Sequence, residues 1–521
     1  MEAHSHHNFF FPFQWSFNSK ERKLFTQKVS IKDIKPKTDF WINIPKPTSE
    51  ESEVKLYNEQ NYFYPFVHRV LYDKGNDNTP IIKHYERTES LSQTHDLEYV
   101  ISVKAAKTST YKLTITNIIL DIFSTGTGVL IFYTKNLSYP HLDDILRIQQ
   151  FGRRILPPFM GKDNLVEGSK LVELADSIGI VGLRGQSSRY YEDFTSYKPG
   201  DDWRPARFIR SLIEDFSTQI EIKPVIDDRM FVMSYVINNS LSSQAENNYE
   251  TSFINSKKVY SLIFVDASEP TCQNKEMRIR FLKDAINPRW QKYGTIYGIT
   301  RYSFLVLVNS NTPPFILDHF KTMYSRMVEL VLIQRASILR FSGEVTYLSN
   351  LSRDSDQNLV EKISDFYKAY IQFVNQIYFR EITAQDQGIE LYDKLQEKMR
   401  LDGQVKDLDD EISELHQYAT ILEDAERNES LKQLTILGTI FLIPTLVTSF
   451  LGMNLVSTPD KSFISLISNY FYLIPGLILA PLFAYLSLKR QRKKFSRYLL
   501  LGLTTISMLL TIIIHLIKYK C

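Results

Sequence analysis

Cysteine is nearly absent: Cys272 and Cys521 are the two in 521 residues. So far apart, they offer neither a disulfide framework nor a thiolate metal site, and their scarcity fits a reducing compartment for most of the chain. An excess of one charge sign is also missing, with 62 Lys+Arg against 59 Asp+Glu and a formal charge of +3. That balance excludes a basic nucleic-acid coat and an acidic disordered tail. The opening residues, MEAHSHHNFFFPFQW, lack the basic start of a secretory signal, and Pro12 and Gln14 interrupt their apolar run. His4, His6 and His7 read as a disordered, histidine-rich terminus rather than as metal ligands. Catalytic signatures are lacking too. There is no HExxH, phosphate loop, paired-cysteine motif or nucleophile–base pairing, and Asp266 and His319 read as structural. The sequence predicts neither an enzyme nor a bound cofactor.

What is present is unevenly spread. At 43% hydrophobic and 23% charged, the average resembles a soluble globular protein. Residues 1–430 hold most of the charge, however, whereas 431–517 are mainly apolar. A membrane span needs ~20 mainly apolar helical residues, and three stretches meet that: 431–451, 464–488 (kinked by Pro475 and Pro481) and 498–517. Lys461 is the single basic residue between the first two, while Lys489, Arg490, Arg492, Lys493, Lys494 and Arg497 follow the second. Basic clusters stay cytoplasmic. A multi-pass protein of the cell or inner membrane is therefore expected, with its large N-terminal part cytoplasmic. The third stretch either crosses, placing Cys521 outside, or lies along the interface.

At ~100–200 residues per domain, the rest of the chain divides further. Residues 1–95 read as a loosely packed, aromatic and polar N-terminal segment. Strand-like runs at 99–103, 112–122, 129–133, 230–236, 260–265, 295–300 and 302–308 alternate with helical stretches such as 141–154 and 275–285. This predicts a cytoplasmic α/β domain over 96–313. Residues 125–128, TGTG, read as a hairpin turn, because no helix follows as a phosphate loop requires. A helical stalk is predicted over 314–430, with helices at 315–342, 357–382 and 389–430. In the last, Leu401, Val405, Leu408, Ile412, Leu415, Ala419 and Leu422 form a heptad seam. No proline separates that helix from the first span, so one continuous helix is expected to run into the membrane.

A second face of this helix carries Asn428, Leu431, Thr435, Gly438, Leu442, Thr445, Ser449 and Gly452 at alternating spacings of three and four. Small and polar residues on one face of a membrane helix meet either another helix or water. Followed backward, the face reaches Asp424, Glu414, Asp410 and Asp407, an acidic funnel in a region rich in carboxylates. Clustered carboxylates concentrate cations by their field. Since one helix cannot enclose a pore, a homo-oligomer with this helix at its axis is implied.

At the far end of the first span stands Gly452-Met453-Asn454, preceded by NESLKQLTILGTIF and Pro444 and followed by a short loop, a second span and the basic cluster. Over about 420–495 this resembles the CorA family of divalent-cation channels, whose hallmark is a GMN triplet at that place. The resemblance implies a funnel-shaped homopentamer, with an α/β cytoplasmic domain, a long helical stalk and C-terminal transmembrane helices (a pore helix at 431–454 and a second at 464–488); the third apolar stretch at 498–517 is extra to the family's usual two spans. It implies that Asn454 forms the outer ring that meets the hydrated cation. Asn428, Leu431, Leu434, Leu442 and Thr445 would lie where the family's pore-lining and hydrophobic-gate residues lie. The expected partners are further copies of the chain, the lipid bilayer and divalent cations, not nucleic acid. Mg²⁺ would be substrate and regulatory ligand, with Lys489, Arg490, Arg492, Lys493 and Lys494 as a basic collar. The chain is also longer than typical members, and two features beside the triplet depart from the family pattern. Leu451 replaces the usual aromatic before the triplet, and Ser457-Thr458-Pro459-Asp460 replaces Met-Pro-Glu-Leu, Asp460 keeping an acid after proline. A Zn²⁺, Co²⁺ or Ni²⁺ transporter of the same fold, and a non-conducting membrane-anchored signalling or scaffold oligomer, remain the alternatives.

Overall fold

The computed structural model describes residues 3–17, 31, 34–43, 50–72, 80–91, 97–104, 108–156, 174–184, 187–196, 204–266, 270–353 and 359–456. The chain divides into two units, Met1–His416 and Gln417–Cys521. In chain order the elements begin with β1 (Ser5–Phe17), β2 (Trp41–Asn43), α1 (Glu50–Tyr62), α2 (His68–Leu71), β3 (Ile82–Arg87), α3 (Thr88–Leu91), β4 (Glu98–Lys104), β5 (Ser109–Phe123) and β6 (Thr127–Asn136). There follow α4 (Leu142–Gly152), β7 (Leu174–Val181), β8 (Tyr191–Asp193), α5 (Arg207–Phe216), β9 (Ile220–Pro224), β10 (Phe231–Ile237), α6 (Asn239–Asn247), α7 (Lys257–Phe264) and α8 (Lys275–Ala285). The series ends with β11 (Ile286–Asn287), β12 (Ile296–Ile299), β13 (Ser303–Val308), α9 (Pro314–Lys321), α10 (Met323–Arg353), α11 (Leu359–Gln376), α12 (Asp386–Met399) and α13 (Leu401–Val456).

Among the described residues the strands form a single sheet with the path β11-β12-β13-β10-β1-β6-β5-β4-β7-β8, from which β9, β3 and β2 branch. The pair β10–β13 is parallel, and helices α6, α7 and α8 lie in the connection between those two strands, as parallel neighbours require a crossover. The α/β reading of the N-terminal part is thereby borne out. Helices α4 and α5 cover one region of the sheet, with Phe151, Phe208, Leu212 and Phe216 packing on Phe9, Tyr99 and Phe132. A second core forms where Leu241, Leu262, Ile263 and Leu282 meet β10 and β13. Helix α10 packs on β1 and β6, tied by Tyr133 to Ser325 (2.8 Å) and Thr127 to Ser337 (3.3 Å).

The N-terminus corrects the disordered reading. β1 is central, paired with β6 from Ser5 to Gln14 and with β10 from Ser5 to Phe10. Its run of phenylalanines shows no period of two because both faces are buried. Pro12, which has no N–H to donate, stands where pairing with β10 has ended and pairing with β9, from Phe13, has not begun. His7 is fully buried and held by Ser5 and Ser234, each at 2.9 Å, so both ring nitrogens are engaged. Burial lowers His6 and His7 to about 3, keeping both rings neutral.

Strands β4, β5, β6, β10, β12 and β13 and helices α4 and α8 stand where the sequence places them. The predicted strand at 260–265 is instead the end of α7. Ser256 caps it by accepting from the Val259 N–H, and Val259, Tyr260, Leu262 and Ile263 bury one helical face. The stalk helix predicted over 389–430 breaks at Arg400, which adopts φ 56° between α12 and α13. The 315–342 helix likewise divides at Thr322 into α9 and α10. The 125–128 hairpin turn is borne out, with Gly126 at φ 72°. A Cβ on Gly128 would lie 2.8 Å from the Asp121 carbonyl oxygen and 2.5 Å from the Phe13 ring. Gly128→Ala should therefore cost about 1–3 kcal/mol by overpacking. Urea unfolding measures this, and an unchanged midpoint would refute the tight packing.

Candidate ion-path helix

Helix α13 starts where Arg400 turns the chain. Tyr378 donates to Asp402 there (2.5 Å), and Arg335 donates to the Met399 carbonyl. Of the heptad seam, Leu401, Leu408, Ile412, Leu415 and Ala419 are buried, as the 3–4 spacing predicts, and the His416 ring stacks on Tyr367 at 4.4 Å. Asp407, Asp410 and Glu414 fall between the seam positions and are exposed. Solvation of these carboxylates makes an acidic surface on α13 within the first unit.

In the second unit Asp424 is exposed, and Arg427 pairs with Glu423 one turn away at 3.2 Å. The face chosen from the sequence then follows. Asn428, Leu431, Leu434, Thr435, Gly438, Leu442, Thr445 and Ser449 are all exposed in the isolated chain. Thr435 donates to the Leu431 carbonyl (2.8 Å) and Thr445 to that of Phe441 (2.7 Å). Each hydroxyl thus donates its proton to the carbonyl one turn earlier, which lets the polar side chain sit within the helix. A Cβ on Gly438 meets nothing within 4 Å among the described residues. Leu431, Leu434 and Leu442 are 54%, 67% and 61% exposed, and Ile421 and Phe441 are exposed beside them. So much apolar surface on one helix calls for cover by protein or lipid.

Gly452, Met453 and Asn454 lie in the last described turns of α13. Asp460, the basic collar at Lys489, Arg490, Arg492, Lys493 and Lys494, and the predicted spans at 464–488 and 498–517 lie outside the described residues. Among the described residues no helix is long and apolar enough to cross a membrane; several side chains between 439 and 456 also fall outside the description. His319, read as structural, is half-buried amid Tyr62, Phe315 and Tyr324, and burial lowers its pKa. Asp266 accepts from the Thr271 N–H at 2.5 Å, which ties a local loop.

The structure also assembles a cluster that the sequence does not announce. His84 on β3, Asp121 on β5 and Glu329 on α10 bring three ligand-type atoms within 4.8 Å of one another. His84 Nδ1 lies 2.7 Å from Asp121 Oδ1. Arg326 reaches Glu329 at 2.9 Å, Glu59 at 3.6 Å and Asp121 at 3.8 Å. Burial raises Asp121 to about 6, and burial together with the neighbouring Asp121 raises Glu329 to about 8. Burial alone would lower Arg326, but Glu329, Glu59 and Asp121 hold it well above its usual value.

Residues 344–490 match the family described as CorA-like Mg²⁺ transporter protein. The matched stretch runs from the second half of α10 through α13 to the collar and contains the GMN triplet. The resemblance read from that triplet is thereby borne out, and the chain carries a CorA-like domain. The family consists of membrane proteins that transport ions. No curated protein and no solved structure matches the chain.

Proposed function

We propose that this CorA-like chain is a divalent-cation channel of the cell or inner membrane that takes up Mg²⁺ down the membrane potential. The observation that carries the reading is the GMN triplet at the end of the small and polar face of α13, inside the matched stretch. In this reading five copies surround the ion path, with the first unit cytoplasmic. Asn454 rings the outer mouth. Leu431 and Leu434 form a gate that closes by dewetting. Mg²⁺ gives up its water reluctantly, so amide oxygens that hold its hydration shell suit it better than a carboxylate cage. At ~2.3 kcal/mol per charge per 100 mV, a divalent ion gains roughly 4.6 kcal/mol on entry, which drives uptake without ATP.

Regulation belongs to the same reading: internal divalent ions bridge the exposed stalk carboxylates between subunits and hold the pore closed. Purified protein in liposomes with an inside-negative potential should conduct Mg²⁺, and preloading with millimolar Mg²⁺ should depress that flux severalfold. Equal flux at low and high internal Mg²⁺ removes the regulatory part. No divalent current at either polarity overturns the channel and favours a non-conducting membrane oligomer. Faster flux of Zn²⁺, Co²⁺ or Ni²⁺ in the same vesicles reassigns the substrate.

A further inference from the structure

The His84–Asp121–Glu329 cluster stands apart from the ion path and is contained within one chain. We propose that these three side chains bind one divalent transition-metal ion of the Zn²⁺ or Co²⁺ class, which fastens α10 to strands β3 and β5. Charge is the first argument. Arg326 faces four carboxyls, Glu59, Glu86, Asp121 and Glu329, from α1, β3, β5 and α10. A divalent ion supplies the positive charge that buried carboxylates need. Geometry is the second. Asp121 is fully buried, and its Oδ2 receives no hydrogen bond from any N–H among the described residues, with Arg326 3.8 Å away. In a tetrahedral site, Zn–N and Zn–O bonds of ~2.0–2.2 Å place ligand atoms ~3.3–3.6 Å apart. A set spanning 4.8 Å therefore closes by about an ångström, within the reach of side-chain rotation.

Ligand chemistry then selects the ion. One imidazole and two carboxylates suit Zn²⁺, Co²⁺, Mn²⁺ or Ni²⁺, whereas Mg²⁺ prefers all-oxygen sites that keep its waters. The competing occupant is a proton on Glu329 facing Asp121. Because the metal must displace it, binding should release protons.

The test uses the full-length protein in detergent, stripped with a chelator and titrated with Zn²⁺ against a chromophoric competitor. The wild type should bind one more tight equivalent per chain than His84→Asn, Asp121→Asn or Glu329→Gln, or bind it on the order of tenfold or more tightly. Asn454→Ala should keep that equivalent, which separates it from ions in the pore. Equal stoichiometry and affinity in the wild type and all three variants overturns the site. Should a variant fail to fold, Co²⁺ added to the wild type alone decides. A saturable visible absorption band that Zn²⁺ abolishes supports nitrogen–oxygen coordination, and the lack of any such band overturns it.

Discussion

Divalent flux through proteoliposomes falls at least about tenfold when Asn454 is replaced by alanine, while folding and assembly of the protein are unchanged. The size follows from the bond that is lost. A hydrogen bond between a neutral amide and a group polarised by charge is worth about 1.5–3 kcal/mol, and each ~1.4 kcal/mol is a factor of ten. In an oligomer every subunit loses the same oxygen, so tenfold is the lower end. Asn454→Asp separates hydration from charge. It restores an oxygen and adds a negative ring, so it should recover conduction while relaxing discrimination between hydrated divalent ions and others. Asn454→Ala that conducts like the wild type would sink the assignment of the outer ring, and would leave the CorA-like character of 344–490 intact.

Signals confined to one stretch of chain were legible. The seam from Leu401 to Ala419 repeats within a single helix, where 3.6 residues per turn makes spacing equivalent to geometry, and Leu401, Leu408, Ile412, Leu415 and Ala419 are buried. Strands β4, β5 and β6 read correctly for the same reason, since their apolar residues sit within runs bounded by turns. Four features were not legible, each for a physical cause. β1 is buried on both faces, so its phenylalanines lose the alternation that marks a half-buried strand. α7 is rich in β-formers, and only a serine cap with a sheet to pack on makes it helical. Arg400 turns left-handed with no glycine or asparagine to mark the stop, so α12 and α13 look like one helix. The His84–Asp121–Glu329 cluster had no sequence signature because β3, β5 and α10 meet only through the sheet register and helix packing.

Arg87→Ala should produce the largest loss of stability in the first unit, about 3–5 kcal/mol, the usual cost of breaking a buried ion pair by removing one partner. The guanidinium is fully buried at the end of β3. Its Nε and one NH2 form a fork on Glu89 at 2.9 and 3.1 Å, and the other terminal nitrogen reaches Asp215 of α5 at 2.9 Å. The plane lies over Phe40, with its centre 4.8 Å from the ring centroid, and Trp41 is close by. Alanine removes the charge facing two buried carboxylates and the flat packing partner of two aromatics at once. Arg189 still meets Asp215 at 2.8 Å, and the Thr88 hydroxyl still donates to Glu89 at 3.2 Å, but neither restores the lost fork. Lysine at 87 keeps the charge without the planar fork and should recover only part of the stability. Urea unfolding of the purified variants checks this order. Arg87→Ala within 1 kcal/mol of the wild type would mean that water or a neighbouring cation replaces the guanidinium, and that the link between β3 and α5 rests on apolar packing alone.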